Sequence, residues 1–207
     1  MKIIAIIGSY RKGGMTENTV DEILAAARDA GAETEKIHLI DAHIEFCRNC
    51  RTCTQVEGPQ RGECVIEDDM KPLLAAVDAA NALVLASPIN FGSVTALTKR
   101  FMERLVCTAY WPWGAGAPKI RNPRKDKPAV LVSSSAAPAI LSRPSTRTVR
   151  SLKETAGVLG FYPMGVLFMG LAAMRQSPRL SDRARKRACM LGAKLVAKAR
   201  QKQKHAR

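Results

Sequence analysis

Two stretches of this 207-residue chain gather side chains able to do chemistry. The first is Gly8-Ser-Tyr-Arg-Lys-Gly-Gly-Met-Thr16-Glu-Asn, a polar turn between an apolar run and a helical pattern. Backbone N–H groups in such a turn can face an anion, and the positive end of the following helix dipole favours the same charge. Ser9 and Thr16 add hydroxyls, and Arg11 adds a fork of donors suited to a terminal phosphate monoester. The glycine spacing matches neither the P-loop nor the dinucleotide fingerprint. The competing reading is an ordinary strand-to-helix loop with Thr16 as the helix cap.

The second stretch is Cys47-x2-Cys50-x2-Cys53, with Cys64 ten intervening residues further on. One loop with the clustered spacing can wrap a [4Fe–4S] cubane and ligate three of its irons, and Cys64 could supply the fourth ligand. Zinc also accepts four thiolates, although its usual pattern is two Cys-x2-Cys pairs. A set of reduced thiols holding no metal is the third reading. Arg48, Arg51 and Arg61 would offset part of the charge of a thiolate-ligated cluster. Cys107 and Cys189 fall on helical stretches without clustered partners and read as packing residues. His38, His43 and His205 form no ligand or catalytic pattern, and no catalytic acid, base or nucleophile stands out.

These loops need a frame. Residues 2–8 are a buried strand without alternation, followed by a helix near 16–30 that Gly31 can end. A more polar strand over 33–40 reads as a sheet edge. A cysteine-rich loop spans about 41–67 by the same reading, and Asp68-Asp69 then caps a helix to Ala80. Residues 82–86 are a central strand and 93–107 a helix with Val94, Leu97, Phe101 and Leu105 at helical spacing. A Pro-, Gly- and Trp-rich loop over 109–127 precedes a strand at 128–132 with a polar exit, Ser133-Ser134-Ser135. A helix near 145–159, a strand at 161–169 and a basic helix over 181–203 complete the order. The last helix buries Ala184, Ala188, Leu191 and Leu195.

Alternating strands and helices predict an α/β, flavodoxin-like three-layer sandwich: a five-stranded parallel sheet, order 2-1-3-4-5, with helices on both faces. Residues 1–207 read as one domain. Ligand then sits at the carboxyl ends of strands one and three. Residues 87–93, Ser-Pro-Ile-Asn-Phe-Gly-Ser, border the same crevice. Pro88 stiffens the turn, Gly92 permits close backbone approach, and Ile89 and Phe91 offer apolar surface to a flat ring. Phosphate binders after one strand and a ring platform after the other fit a mononucleotide with a large heterocycle, and flavin mononucleotide is the natural candidate.

At these motifs the chain resembles the flavodoxin-like NAD(P)H-dependent FMN reductases, and within them the iron-sulfur flavoprotein branch. The likeness is carried by the first loop, by Cys64-Val-Ile-Glu-Asp-Asp-Met70 and by Ser87-Pro-Ile-Asn-Phe-Gly-Ser-Val-Thr-Ala96. It implies FMN bound by Ser9, Arg11, Met15 (through its backbone) and Thr16, with Pro88, Ile89, Asn90, Phe91 and Gly92 edging the ring. Family members often carry an aromatic where Asn90 stands and a glycine-rich loop where Ser133 to Ser135 stand. Ser134 is the hydroxyl taken as a ring contact, an ordinary polar turn being the alternative. The fourth cysteine normally follows more closely, so Thr54 to Glu63 resembles an insertion.

The implied activity is hydride transfer from NAD(P)H to FMN and onward passage of electrons to a small-molecule or protein acceptor, directly or through a [4Fe–4S] cluster at Cys47, Cys50, Cys53 and Cys64. The alternative is an electron carrier reduced by ferredoxin instead of NAD(P)H. Homodimers or homotetramers are usual in the family. Trp111 and Trp113 could cover a neighbouring subunit's flavin or pack their own loop.

Charge and hydropathy narrow the partners. The formal charge is +15, and between Arg175 and Arg207 twelve Lys or Arg face the single Asp182. The basic run reads as the solvated face of the last helix. No helix-turn-helix, zinc-finger or aromatic RNA-binding signature accompanies it, so nucleic acid is not an expected partner. No apolar stretch is long enough to span a bilayer. A cytoplasmic location, where thiols stay reduced, is the expectation.

Overall fold

The computed structural model describes residues 1–205. In chain order the elements are β1 (Lys2–Ile7), α1 (Met15–Asp29), β2 (Glu33–His38), α2 (Met70–Ala79), β3 (Ala82–Pro88), α3 (Ala96–Arg104), β4 (Ala109–Tyr110), β5 (Lys119–Ile120), β6 (Lys127–Ser134), α4 (Ala139–Ser145), α5 (Thr148–Val158), β7 (Phe161–Met169) and α6 (Asp182–His205). Five strands form one sheet in the order β2-β1-β3-β6-β7, every neighbour parallel. Numbered among themselves, these strands run 2-1-3-4-5, the expected flavodoxin-like order.

Helices cover both faces, which explains the unbroken apolar runs of the central strands. On one face Ile3, Ala5, Ile7, Val84 and Val130 meet Val20 and Ile23 of α1 and Ala188 and Leu195 of α6. On the other, Ile4, Ile6, Leu83, Leu85 and Leu131 meet Leu73 of α2, Phe101 of α3 and Leu152 of α5. The period-two alternation of strand side chains thus feeds two cores. Polar β2 lies at one edge, as its composition predicts. β7 lies at the other, and its Pro163 sits at the irregular register step between Ala129 and Val130, where a missing N–H is tolerated.

The crossing of β1 and α3 is tight. A Cβ on Gly8 would lie 1.8 Å from Thr98 Oγ1, so only glycine fits. Thr95 Oγ1 donates to the Gly8 carbonyl at 2.6 Å and accepts the Thr98 N–H at 3.2 Å. That cap starts α3 at Ala96, three residues later than helical spacing suggests, and its far end tightens into a 3₁₀ turn over Leu105–Thr108. The loop at 109–127 contains the short antiparallel ribbon β4–β5. The helix expected from residue 145 begins at Thr148, because the Thr146 hydroxyl takes the Thr148 N–H at 3.1 Å. α6 buries Ala188, Leu191, Leu195, Val196 and Ala199, while Ala184 is half-buried. Among the described residues no helix is long and apolar enough to cross a membrane.

Candidate functional site

The β1–α1 loop leaves the sheet where β3 and β1 lie side by side, with β2 on the far side of β1. Ser9 is buried, and its Oγ both donates to the Arg11 carbonyl at 3.0 Å and accepts the Arg11 N–H at 3.1 Å. This local turn presents the Arg11 side chain to solvent, where its Nη2 donates to the Arg175 carbonyl at 3.2 Å. Gly13 has φ +69°, and nothing lies within 4 Å of where a Cβ would stand. The helix α1 then begins with Gly14 as its N-cap and no side-chain cap, which leaves first-turn N–H groups for an incoming acceptor. Thr16 is not that cap. It is buried, and its Oγ1 lies 2.7 Å from Ser134 Oγ.

The exits of β3 and β6 meet this loop. The Ile89 N–H donates to the Ser134 carbonyl at 2.8 Å, which ties the two strand ends together. Asn90 and Ser93 exchange backbone hydrogen bonds of 2.9 and 3.0 Å around Phe91 and Gly92, whose φ values are +47° and +73°. This is the geometry of a type I′ turn, which glycine accepts readily and phenylalanine only under strain. Phe91 stands wholly in solvent at its tip, while Pro88 and Ile89 are half-buried. The Gly92 carbonyl accepts the Arg147 N–H at 2.9 Å, anchoring the turn from behind.

The three serines at the end of β6, Ser133, Ser134 and Ser135, are all buried. Ser134 faces Thr16, and Ser135 Oγ donates to the Ala137 carbonyl at 2.7 Å. Ser133 Oγ has no partner, an orphaned buried hydroxyl at the same end of the sheet. Ser9, Arg11, Met15, Thr16, Pro88, Ile89, Asn90, Phe91, Gly92 and Ser134 therefore share the carboxyl ends of the central strands. An uncapped helix start, open space at Gly13 and Gly92, a cationic fork and a half-buried Pro-Ile wall fit a phosphate monoester joined to a flat heterocycle.

The cysteine loop follows β2, and its Ile44 and Cys53 pack in one core with Leu73 of α2 and Phe101 of α3. Cys53 is buried, whereas Cys50 and Cys64 are exposed and Cys47 is half-exposed. Burial pushes the Cys53 thiol up to about 11, and the surrounding Cys107, Cys64, Cys47 and Cys50 push the same way. The Cys50 thiol is held below its ordinary range by the hydroxyl of Thr52, 3.5 Å from its sulfur. Among the described residues, no three His, Cys, Asp or Glu side chains are gathered to hold a metal ion. The thiols are neighbours on one loop, then, without converging on a single point.

Three arginines fix this loop, and none of their contacts is visible in local sequence. Arg51, with φ +59°, inserts its guanidinium between Trp111 and Trp113, 4.0 and 4.2 Å from the ring centres. It also donates to the carbonyls of Trp111 and Pro112. The two tryptophans therefore pack the cysteine loop of their own chain. Arg121 donates to the carbonyls of Cys53, Gly58 and Ala109, which stitches the 54–63 segment to the β4–β5 ribbon.

Arg104 is buried and pairs with the buried carboxylate of Asp68, while its Nη2 lies 3.5 Å from Cys64 Sγ. Burial alone would raise the Asp68 carboxyl. The Arg104 guanidinium and the N–H groups of Glu45 and Met70 override it and hold the group below the ordinary carboxylate range. Asp68 also accepts the Met70 N–H at 3.0 Å just ahead of α2, whereas Asp69, the N-cap residue, makes no side-chain cap bond and accepts the His43 N–H instead. Cys107 is buried in a 3₁₀ turn and shares with Cys64, Arg104 and Met70 the wall of a cavity of ≈ 600 Å³.

Comparison with known proteins follows the same lines. Solved structures of like fold include an FMN-dependent NADH-azoreductase from Bacillus anthracis (TM-score 0.69, 13% identity, 95% of this chain and 100% of that one). A flavone reductase is also similar (TM-score 0.65, 22% identity, 97% and 63%). At these identities the likeness shows the fold alone. Among curated proteins, an iron-sulfur flavoprotein of Archaeoglobus fulgidus is 37% identical over 112 residues, covering 54% of this chain and 49% of its own. One of Methanocaldococcus jannaschii is 38% identical over 104 residues, covering 50% and 51%. The chain spans about half the length of these curated relatives. The profile of the NADPH-dependent FMN reductase family matches residues 1–173, so the whole five-stranded sheet and both candidate loops lie within it, and the chain belongs to that family.

Proposed function

We propose that the protein is an FMN-dependent oxidoreductase that takes hydride from NAD(P)H and passes electrons to a small-molecule or protein acceptor. The observation that carries this reading is the meeting of the uncapped α1 loop with the exits of β3 and β6, tied through Thr16 and Ser134. Family membership supports it. FMN, when bound, supplies the hydride-accepting ring and the one- and two-electron chemistry. The chain's own residues bind and orient. Ser9 shapes the turn that presents Arg11. Arg11 and the N–H groups at the start of α1, Met15 among them, supply charge and donors for the phosphate. Pro88 and Ile89 supply the apolar wall, and the turn at Asn90–Ser93 edges the ring. The exposed Phe91, Ile140, Leu141 and Met174 at this end of the sheet support assembly as dimers or tetramers.

A second reading is supported by the names of the curated relatives, iron-sulfur flavoproteins. Cys47, Cys50, Cys53 and Cys64 would then hold a [4Fe–4S] cluster, which supplies single-electron transfer, and a ferredoxin would stand in for NAD(P)H as donor. Bringing the four sulfurs to one cubane requires the exposed Cys50 and Cys64 to turn toward buried Cys53. The test of both readings is anaerobic preparation with FMN, followed by assay of iron, acid-labile sulfide and flavin per chain and by reduction with NADPH, NADH or ferredoxin. Rapid reduction by nicotinamide supports the enzyme. Reduction by ferredoxin alone, with equal iron and sulfide, supports the carrier. Absence of bound FMN overturns both.

A further inference from the structure

Glu17 carries no role in the local sequence pattern, yet it sits buried in the first turn of α1, beneath the phosphate loop. Its Oε2 accepts the N–H of Gly13 at 2.6 Å, at the residue whose left-handed conformation turns the loop into the helix. Its Oε1 accepts from Lys36 Nζ at 2.8 Å and lies 3.0 Å from His38 Nε2. Both partners come from β2, the edge strand beside β1, and Lys36 reaches Asp21 of α1 as well, at 2.8 Å. His38 Nδ1 is buried without a partner, so Nε2 is the ring nitrogen that meets Glu17.

A carboxylate at this position has two opposed effects on a phosphate. Its charge repels the dianion, while its bond to Gly13 holds the loop in the shape that receives it. Burial raises the Glu17 carboxyl. The hydrogen bonds from Lys36 and Gly13, with the charge of Lys36, outweigh burial and keep it ionised. The Lys36 ammonium thus cancels much of the repulsion and leaves the geometric effect.

We propose that Glu17 is a positioning residue for FMN: it fixes the Gly13 turn of the phosphate loop, while Lys36 neutralises the charge it sets beneath the phosphate. The inference rests on the FMN reading above and assigns Glu17 a part in selecting the phosphorylated over the unphosphorylated flavin.

The test is titration of apoprotein with FMN and with riboflavin, read by flavin fluorescence, in Glu17→Ala, Glu17→Asp and Glu17→Gln variants. Aspartate keeps the charge but is too short to reach Gly13, and glutamine keeps the reach without the charge. Alanine and aspartate are expected to weaken FMN about tenfold, the loss of one charge-assisted hydrogen bond, and to leave riboflavin within about twofold. Glutamine is expected to stay within about threefold of the parent for both ligands. Should the alanine variant fail to fold, the Asp and Gln pair still separates charge from reach. Unchanged or tighter FMN binding in the aspartate variant overturns the proposal, as does equal weakening of both flavins. A parent protein that binds FMN and riboflavin equally instead overturns the phosphate-loop reading itself.

Discussion

The hydroxyls of Thr16 and Ser134 meet at 2.7 Å although 118 positions of chain separate them. One belongs to the first turn of α1 and the other to the last residue of β6, so the contact locks the start of α1 against the strand end that also holds Ile89. Both residues are buried, and neither hydroxyl can turn to water if its partner is lost. Thr16→Val is therefore expected to weaken FMN binding by about 1–2 kcal/mol, the cost of an orphaned buried hydroxyl together with a loosened loop. Ser134→Ala should cost a similar amount, and the double variant less than the sum, because one interaction is removed in each case. Fluorescence titration of the four proteins measures the coupling. Additive losses would show that the two hydroxyls act separately.

The stacking of Arg51 between Trp111 and Trp113 predicts a loop that is pinned, not loose. Arg51→Ala should destabilise the protein by about 1–2 kcal/mol through lost cation–π contact and two lost carbonyl bonds. Arg51→Lys should recover little of this, since an ammonium lacks the planar fork that stacks on both rings and reaches two carbonyls. Urea unfolding gives the stability change, and faster limited proteolysis between residues 41 and 67 would localise it. A lysine variant as stable as the parent would assign the contact to charge alone.

The Asp68–Arg104 pair predicts a pH dependence. The folded-state carboxyl lies below its ordinary value, so its contribution is fully present above the unfolded pKa and lost as pH falls through the folded one. The loss should begin below about pH 4, where unfolded aspartate titrates. Asp68→Asn leaves a buried guanidinium without its counter-charge and should cost about 3 kcal/mol at neutral pH. Its stability should then fall less steeply than the parent's on acidification. Thermal melts from pH 7 down to 3 compare the two slopes, and parallel curves would contradict the assignment.

Much of the frame was legible because it is written locally. Ile3 to Ile7 without alternation can only be a strand covered on both faces, and the glycine turn after it marks the switch point. Polar β2 announced itself as an edge. The contacts that define the candidate site are of another kind. Thr16 reads as a phosphate-binding hydroxyl, or else a helix cap, and its hydroxyl meets Ser134. Glu17 carries no role in the sequence reading, and it holds Gly13. Trp111 and Trp113 could have covered a flavin, yet they enclose Arg51. Cys107 looks like a packing residue, and it is buried, but the fold also sets it among the loop's other thiols. The contacts of Thr16, Trp111, Trp113 and Cys107 depend on partners brought together only when the sheet assembles, whereas Glu17 and Gly13 are four residues apart. The one foreseeable signal was Asp68, a carboxylate two residues before a helix that also had to pair with something once buried.

The central claim is that the loops at the carboxyl ends of β1, β3 and β6 hold an FMN that nicotinamide reduces. It is tested most directly by anaerobic titration of the FMN-loaded protein with NADPH, read by the visible absorbance of the flavin. The account predicts one FMN per chain, fully bleached by a single equivalent of the nucleotide. A chain that takes up no FMN, or a bound FMN that NADPH and NADH both leave oxidised, would contradict it.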